Sequence, residues 1–152
     1  MDRFDRAILR EQQRSSQRSI AELAEAIGIS PSACHRRLRA LEQSGTISGY
    51  AARLDPAKLG LTTEIIVEIT LASQSSEAMD RFETAVAAFD DILECHLTSG
   101  VADYILRVAA ENLQHFDAIH RECLSRLPGV SSMRSSFSIR VIKRMQGYPI
   151  RA

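Results

Sequence analysis

With 152 residues the chain has room for one ordinary domain or two small ones, each with a real hydrophobic core. No apolar run approaches the roughly 20 residues that cross a bilayer, and the charged start Met1-Asp2-Arg3-Phe4-Asp5 lacks the apolar stretch of a secretory signal, so the expectation is a soluble cytoplasmic protein with no membrane contact. The formal net charge is zero but unevenly spread: residues 1–60 carry 10 Lys and Arg against 7 Asp and Glu, and residues 61–152 carry 9 against 12, which points to two jobs in two halves.

The front half reads as short helices divided by turn signals. Phe4, Ile8 and Leu9 make the stripe of a first helix, ended by the polar run Gln12 to Arg18. Ser19-Ile20-Ala21-Glu22 fits a capping box, and Ile20, Leu23, Ala24 and Ile27 follow at the spacing of one helix face. Gly28 suits a left-handed C-terminal position and stops this second helix. Ser30-Pro31 then supplies an N-cap and a proline at the first helical position, so a third helix starts almost at once. Two short helices joined by so tight a glycine turn are a helix-turn-helix candidate.

At about 100° per residue, Cys34, Leu38 and Leu41 of the third helix fall in one sector. Ser32, Arg36, Arg39 and Gln43 gather on the opposite side with His35 beside them, a face suited to base edges and phosphates. Ser30 and Ser32 sit at the helix start, and Arg37, nearer the core edge, is placed for phosphate. Gly45 ends the helix, and Thr46 to Leu54 alternates loosely as a short strand or wing. Residues 1–54 form the DNA-binding domain on this reading, and 55–62, rich in turn formers, the hinge.

Residues 63–152 have a different rhythm. Ile65, Val67, Ile69 and Leu71 alternate as a strand, and Ser75-Ser76-Glu77 opens a helix with Met79, Phe82, Val86 and Phe89 in a stripe. Two strands, Ile92 to Thr98 and Tyr104 to Ala109, flank the turn Ser99-Gly100-Val101-Ala102-Asp103. Asn112 caps a helix with Leu113, Phe116, Ile119, Cys123 and Leu127 inward, and a last strand runs from Val130 to Lys143. The order βαββαβ predicts a ferredoxin-like domain, and the chain as a whole an α+β protein. Its sheet leaves one face open, where Glu68, Thr70, Glu94, His96 and Arg107 alternate with apolar residues; pairing of two sheets would cover it, which predicts a homodimer.

In this order and spacing the residues resemble the Lrp/AsnC (leucine-responsive/asparagine-type, feast/famine) family of transcription regulators. The likeness runs through Ile29-Ser30-Pro31-Ser32, Cys34-His35-Arg36-Arg37, Leu38-Arg39-Ala40-Leu41-Glu42 and Gly49-Tyr50 in front, and through Cys95-His96, Gly100-Val101-Ala102-Asp103-Tyr104, Leu127-Pro128-Gly129-Val130 and Val141-Ile142-Lys143 behind. The resemblance implies a winged or near-winged helix-turn-helix that binds double-stranded DNA. It also implies a C-terminal (RAM) domain that dimerises and builds tetramers or octamers, and an effector that is an amino acid or a relative. The family's Gly-x-x-Asp pattern falls on Gly100 and Asp103, which places the effector against Thr98, Gly100, Val101, Ala102, Asp103 and Tyr104. Here a carboxylate can pair with an α-amino group, and glycine admits close backbone N–H groups. Val101 and Ala102 depart from the polar residue usual after the glycine, so this pocket differs in shape or polarity.

Other classes fit less well. Some haem-pathway decarboxylases resemble this family in fold, but His35, His96, His115 and His120 share no helix face or catalytic pattern, so no catalytic residue and no cofactor are expected. Cys34, Cys95 and Cys123 are odd in number and widely spaced, which indicates neither a disulfide framework nor a metal site. A regulator of this kind is expected in the cytoplasm, associated with the nucleoid; an architectural protein that compacts DNA with little sequence preference stays open as the alternative.

Overall fold

The computed structural model describes residues 1–151. Its contacts divide the chain into two compact units: Met1–Arg53 together with the tail that begins at Ile142, and Leu54–Val141. The tail therefore groups with the helices, whereas the sequence reading puts it with the sheet.

The helical unit comprises α1 (Arg3–Arg14), α2 (Ile20–Ile27) and α3 (Pro31–Gln43). Each start is fixed by a local cap. The Asp2 carboxylate accepts from the N–H groups of Phe4 (2.8 Å) and Asp5 (3.0 Å), and the Asp5 side chain accepts from the Asp2 N–H (2.9 Å), satisfying donors that the helix itself leaves orphaned. The Ser19–Glu22 box forms in the same way, with Glu22 accepting from the Ser19 N–H at 2.7 Å. Gly28 closes α2 at φ 73, a left-handed conformation that a side chain disfavours. Ile8, Leu23, Ala24, Cys34, Leu38 and Leu41 are buried together, with Leu9, Ile20, Ile27, Ile29 and Ile47 packed around them.

The segment read as a short strand or wing forms no strand over residues 46–54. A strand needs a partner, and here the backbone turns back on α3 instead, the Ile47 N–H donating to the Leu41 carbonyl at 3.1 Å.

The second unit opens with a 3-10 turn, Pro56–Leu59, capped by Asp55. It continues through β1 (Thr63–Leu71), α4 (Ser76–Val86), β2 (Ile92–Leu97), β3 (Tyr104–Ala110), α5 (Leu113–Glu122) and β4 (Val130–Phe137), the βαββαβ order read from the sequence. All pairings are antiparallel, in the order β2-β3-β1-β4. Ile65, Val67, Ile69 and Leu71 of β1 are buried, as are Tyr104, Leu106, Val108 and Ala110 of β3, and they meet Phe82, Val86, Phe116 and Ile119 from the two helices. The opposite sheet face carries cross-strand charge pairs: Glu68 lies opposite Arg134 and bonds to it, and Glu94 does so with Arg107.

Three details differ from expectation. β4 stops at Phe137 rather than Lys143: its last register pair with β1 is Ile65↔Phe137, followed by one bond from the Ser138 N–H to the Glu64 carbonyl, after which the chain leaves β1 although β1 itself continues to Thr63. Leu113 stands at the first position of α5, before the helix reaches its packing partner, and is exposed rather than inward. Phe89 lies in the turn after α4, yet still packs against the core. No helix among the described residues is long and apolar enough to cross a membrane.

Candidate functional site

In α3 the cap, the proline and the buried stripe together decide which side faces outward. Ser30 accepts from the Ala33 N–H at 3.3 Å, and its hydroxyl pairs with that of Ser32 at 3.2 Å. Cys34, Leu38 and Leu41 face the core, so His35, Arg36, Arg39 and Gln43 are exposed with Ser32 on the outer surface. Arg39 is held loosely by Glu42 at 3.5 Å, and Glu42 also accepts from the Tyr50 hydroxyl at 2.9 Å. Arg36 is exposed and has no ion-pair partner among the described residues. This surface presents guanidinium, imidazole, amide and hydroxyl donors of the kind that address base edges and phosphates.

Arg37 is different. Its guanidinium donates to Asp2 at 2.7 Å and to Asp5 at 2.8 Å, and it lies 5.4 Å from the centroid of the Phe4 ring. The sequence reading places this arginine for phosphate; in the structure it is committed to the start of α1. Its hydrogen bonds to Asp5 and Asp2 raise its pKa, and the Asp5 N–H chiefly, with Arg37, holds the Asp2 carboxyl below the usual range. Sequence reasoning missed Asp2 and Asp5 as its partners, although Asp-x-x-Asp ahead of the apolar stripe is a capping pattern.

The second candidate is the turn between β2 and β3. Thr98 braces it twice: its N–H donates to the Asp103 carbonyl at 2.8 Å and its hydroxyl to the Ala102 carbonyl at 2.5 Å. Gly100 and Val101 are exposed at the tip, and Ala102 and Asp103 are half-buried. Both Asp103 carboxylate oxygens are engaged, one accepting from the Leu71 N–H and the other from the Gln74 amide, each at 2.7 Å. The pairing of β1 with β3 runs out at Ile69↔Tyr104, so the Asp103 side chain takes the place of a strand neighbour for Leu71. Tyr104 stands apart from the other turn residues. It is 1% exposed, stacks against Phe82 with ring centroids 4.5 Å apart, and donates its hydroxyl to Glu83 of α4 at 2.7 Å. Burial foremost, and then the bond to Glu83, push its phenol far above the usual range. Gln74, which nothing in the sequence singles out, belongs to the turn instead.

The comparisons with known proteins agree with this geometry. Residues 1–42 match the AsnC-type helix-turn-helix domain, and residues 64–148 match the Lrp/AsnC ligand binding domain. The leucine-responsive regulatory protein of Escherichia coli is 38% identical over 144 residues, which cover 95% of this chain and 88% of that protein. The chain belongs to the Lrp/AsnC family. An AsnC family transcriptional regulator from Agrobacterium tumefaciens superposes with a TM-score of 0.94 at 34% identity, covering 98% of this chain and 97% of its own. A transcriptional regulator from Neisseria meningitidis, solved in complex with L-Met, gives 0.92 at 29% identity, with 98% and 96% covered. The Lrp/AsnC protein described here is thus a transcription regulator with a DNA-binding helix-turn-helix and a ligand-binding domain.

Proposed function

We propose that this Lrp/AsnC regulator recognises particular operator sequences through α3, and that an amino acid or a close relative bound at the β2–β3 turn changes that recognition. The outer face of α3 carries the proposal: Arg36 is exposed and uncompensated, with His35, Arg39 and Gln43 alongside, while Arg37 is withdrawn into the helical unit. Arg36 and Arg39 address base edges or phosphates, and Ser30 and Ser32 the backbone near the helix start.

The Neisseria relative solved with L-Met supports an amino-acid effector. Thr98, Gly100, Val101, Ala102 and Asp103 are the contacts proposed at the turn. A carboxylate offers about four lone-pair sites, and Asp103 uses two of them on Leu71 and Gln74, leaving capacity for an ammonium group. Tyr104 shapes the turn from below through Phe82 and Glu83 rather than touching the effector.

A homodimer, built further into tetramers or octamers, places two copies of α3 about one helical turn apart on a near-palindromic site. Half-buried Ile66 and Ile105 among the paired charges of the open sheet face support sheet-to-sheet association. The effector's influence on DNA cannot exceed its differential affinity for the two assembly states.

Fluorescence anisotropy tests the reading, with the protein's own upstream DNA against a scrambled duplex at two salt concentrations, with and without the twenty amino acids. Selective binding that shifts with the amino acids is the expected result. Equal, steeply salt-dependent binding to both duplexes, indifferent to amino acids, would instead identify an architectural DNA-compacting protein.

A further inference from the structure

Charge counted by structural unit is more polarised than charge counted by sequence half. The helical unit with its tail carries 12 Lys and Arg against 6 Asp and Glu, and the sheet unit 7 against 13. From Ile142 onward the tail adds Lys143, Arg144 and Arg151 and no acidic side chain.

A specific joint holds the tail on the helical unit. The Gln13 carboxamide pairs with the Tyr148 backbone as a strand neighbour would: the Tyr148 N–H donates to Oε1 at 2.5 Å, and Nε2 donates to the Tyr148 carbonyl at 3.0 Å. Arg53 donates to the Gln13 carbonyl in the last turn of α1 at 2.6 Å and to the Gln146 carbonyl at 2.8 Å. Gly147 sits between Gln146 and Tyr148 at φ 138, a conformation that a side chain disfavours, and a Cβ there would push the Gln13 carboxamide out of its place in the joint.

Beside the joint lies a groove of about 380 Å³, lined by Arg10, Gln13, Arg14, Arg53 and the tail, with no acidic lining residue. Arg14 is paired with Glu11 at 2.9 Å. Among the described residues Arg53 is held by carbonyl oxygens, which orient its guanidinium without neutralising its charge. Arg10 and Lys143 are exposed and have no ion-pair partner among the described residues.

We infer that the docked tail and the Arg10–Arg53 groove form an accessory surface for DNA phosphates, separate from the base-reading face of α3. The inference rests on α3 being the DNA-reading helix, because that helix brings a polyanion to this same unit. The Arg10 and Arg53 guanidinium groups, which no carboxylate neutralises among the described residues, suit phosphate oxygens and carry no sequence information; they add affinity through counterion release. The joint fixes residues 146–148 on α1, so less of the tail has to be ordered on binding.

The test compares full-length wild type with the double variant Arg10→Gln/Lys143→Gln, with Gly147→Val, and with Arg36→Ala, on operator-centred duplexes of two lengths, one confined to the operator core and one extending well beyond it. The double variant binds the long duplex more weakly, with a salt slope shallower by about 1.8, about 0.9 for each phosphate no longer neutralised. Its preference for operator over scrambled DNA is unchanged, and its deficit shrinks on the short duplex. Gly147→Val removes no charge but undocks the tail, and weakens binding to the long duplex severalfold. Salt slopes and affinities equal to wild type in both tail variants, with helical content intact by circular dichroism, would overturn the accessory surface. Arg36→Ala keeps the two readings apart: lost base preference there beside a wild-type double variant sinks the groove alone, whereas unchanged base preference beside a shallower double variant sinks the α3 assignment alone.

Discussion

Replacing Asp103 by alanine removes the acceptor for two donors that differ in worth. The Leu71 N–H is part-buried and has no alternative strand partner, so losing its 2.7 Å bond to a carboxylate costs about 1.5–2.5 kcal/mol. The Gln74 amide is exposed and turns to water at little cost, about 0.5 kcal/mol. The expected loss is about 2–3 kcal/mol. With a urea dependence of about 1.5 kcal/mol per molar, that lowers the midpoint by about 1.3–2 M. Urea melts followed by far-ultraviolet circular dichroism measure the shift, and amide exchange of Leu71 should quicken with it. Asp103→Asn, which retains one acceptor for Leu71 but turns a donor toward Gln74, should lose roughly half as much. A midpoint moved by less than about 0.3 M, with Leu71 still protected, would refute the claim that this side chain stands in for a strand neighbour. Loss of effector response in an Asp103 variant counts as evidence of ligand contact only after this structural cost is measured.

Two further outcomes are expected. Tyr104→Phe keeps the ring against Phe82 but leaves Glu83 without its 2.7 Å donor, and should cost about 1–2 kcal/mol by denaturant titration; a neutral or stabilising result would mean the hydroxyl gains nothing over water. Acid should loosen the helical unit through its caps. Asp2, held below the usual range chiefly by the Asp5 N–H, and Glu22, held low chiefly by the Ser19 N–H, contribute stability that is present above the unfolded carboxyl values near 4 and is lost as the pH falls through the lower folded values. Thermal melts at 222 nm between pH 7 and 3 should show this decline, and Asp2→Asn should flatten part of it; an unchanged profile in that variant would argue against the cap.

What the sequence makes legible is what it specifies locally. Ser19 with Glu22, Gly28, and Ser30 with Pro31 punctuate α2 and α3 within a few residues, so both helices and the reading face are visible in the letters themselves. The alternation in β1 is equally local, and it reports burial because one sheet face is covered by helices. Features set by remote partners are not visible in this way. Arg37 meets Asp2 and Asp5 across more than 30 residues, Asp103 meets Leu71 across 32, and Gln13 meets Tyr148 across 135. Periodicity continues past the end of β4 because Ile139 and Val141 keep alternating, but the pairing with β1 ends at Ile65↔Phe137, and alternation in one segment does not show where its partner is left behind. The tail's basic residues are plain in the sequence; that they join the helical unit is decided by Gln13, Arg53 and Gly147 together.

Arg37 offers a sharper separation of structure from recognition than any other residue in α3. It adjoins Arg36 in sequence, yet about 100° of rotation turns it toward α1, where Asp2, Asp5 and the Phe4 ring receive it. A cation already paired with two carboxylates releases few counterions from DNA, so Arg37→Gln should leave the salt slope of binding within about 0.3 of wild type, against a change of about 0.9 if it touched a phosphate. Affinity should nevertheless fall for operator and scrambled duplexes alike, because α3 loses its tie to the start of α1 and must be ordered on binding. Anisotropy titrations over a series of salt concentrations separate the cases. A slope shallower by the full amount for one phosphate would return Arg37 to the DNA backbone and mean that the Asp2–Asp5 pair yields it when DNA arrives.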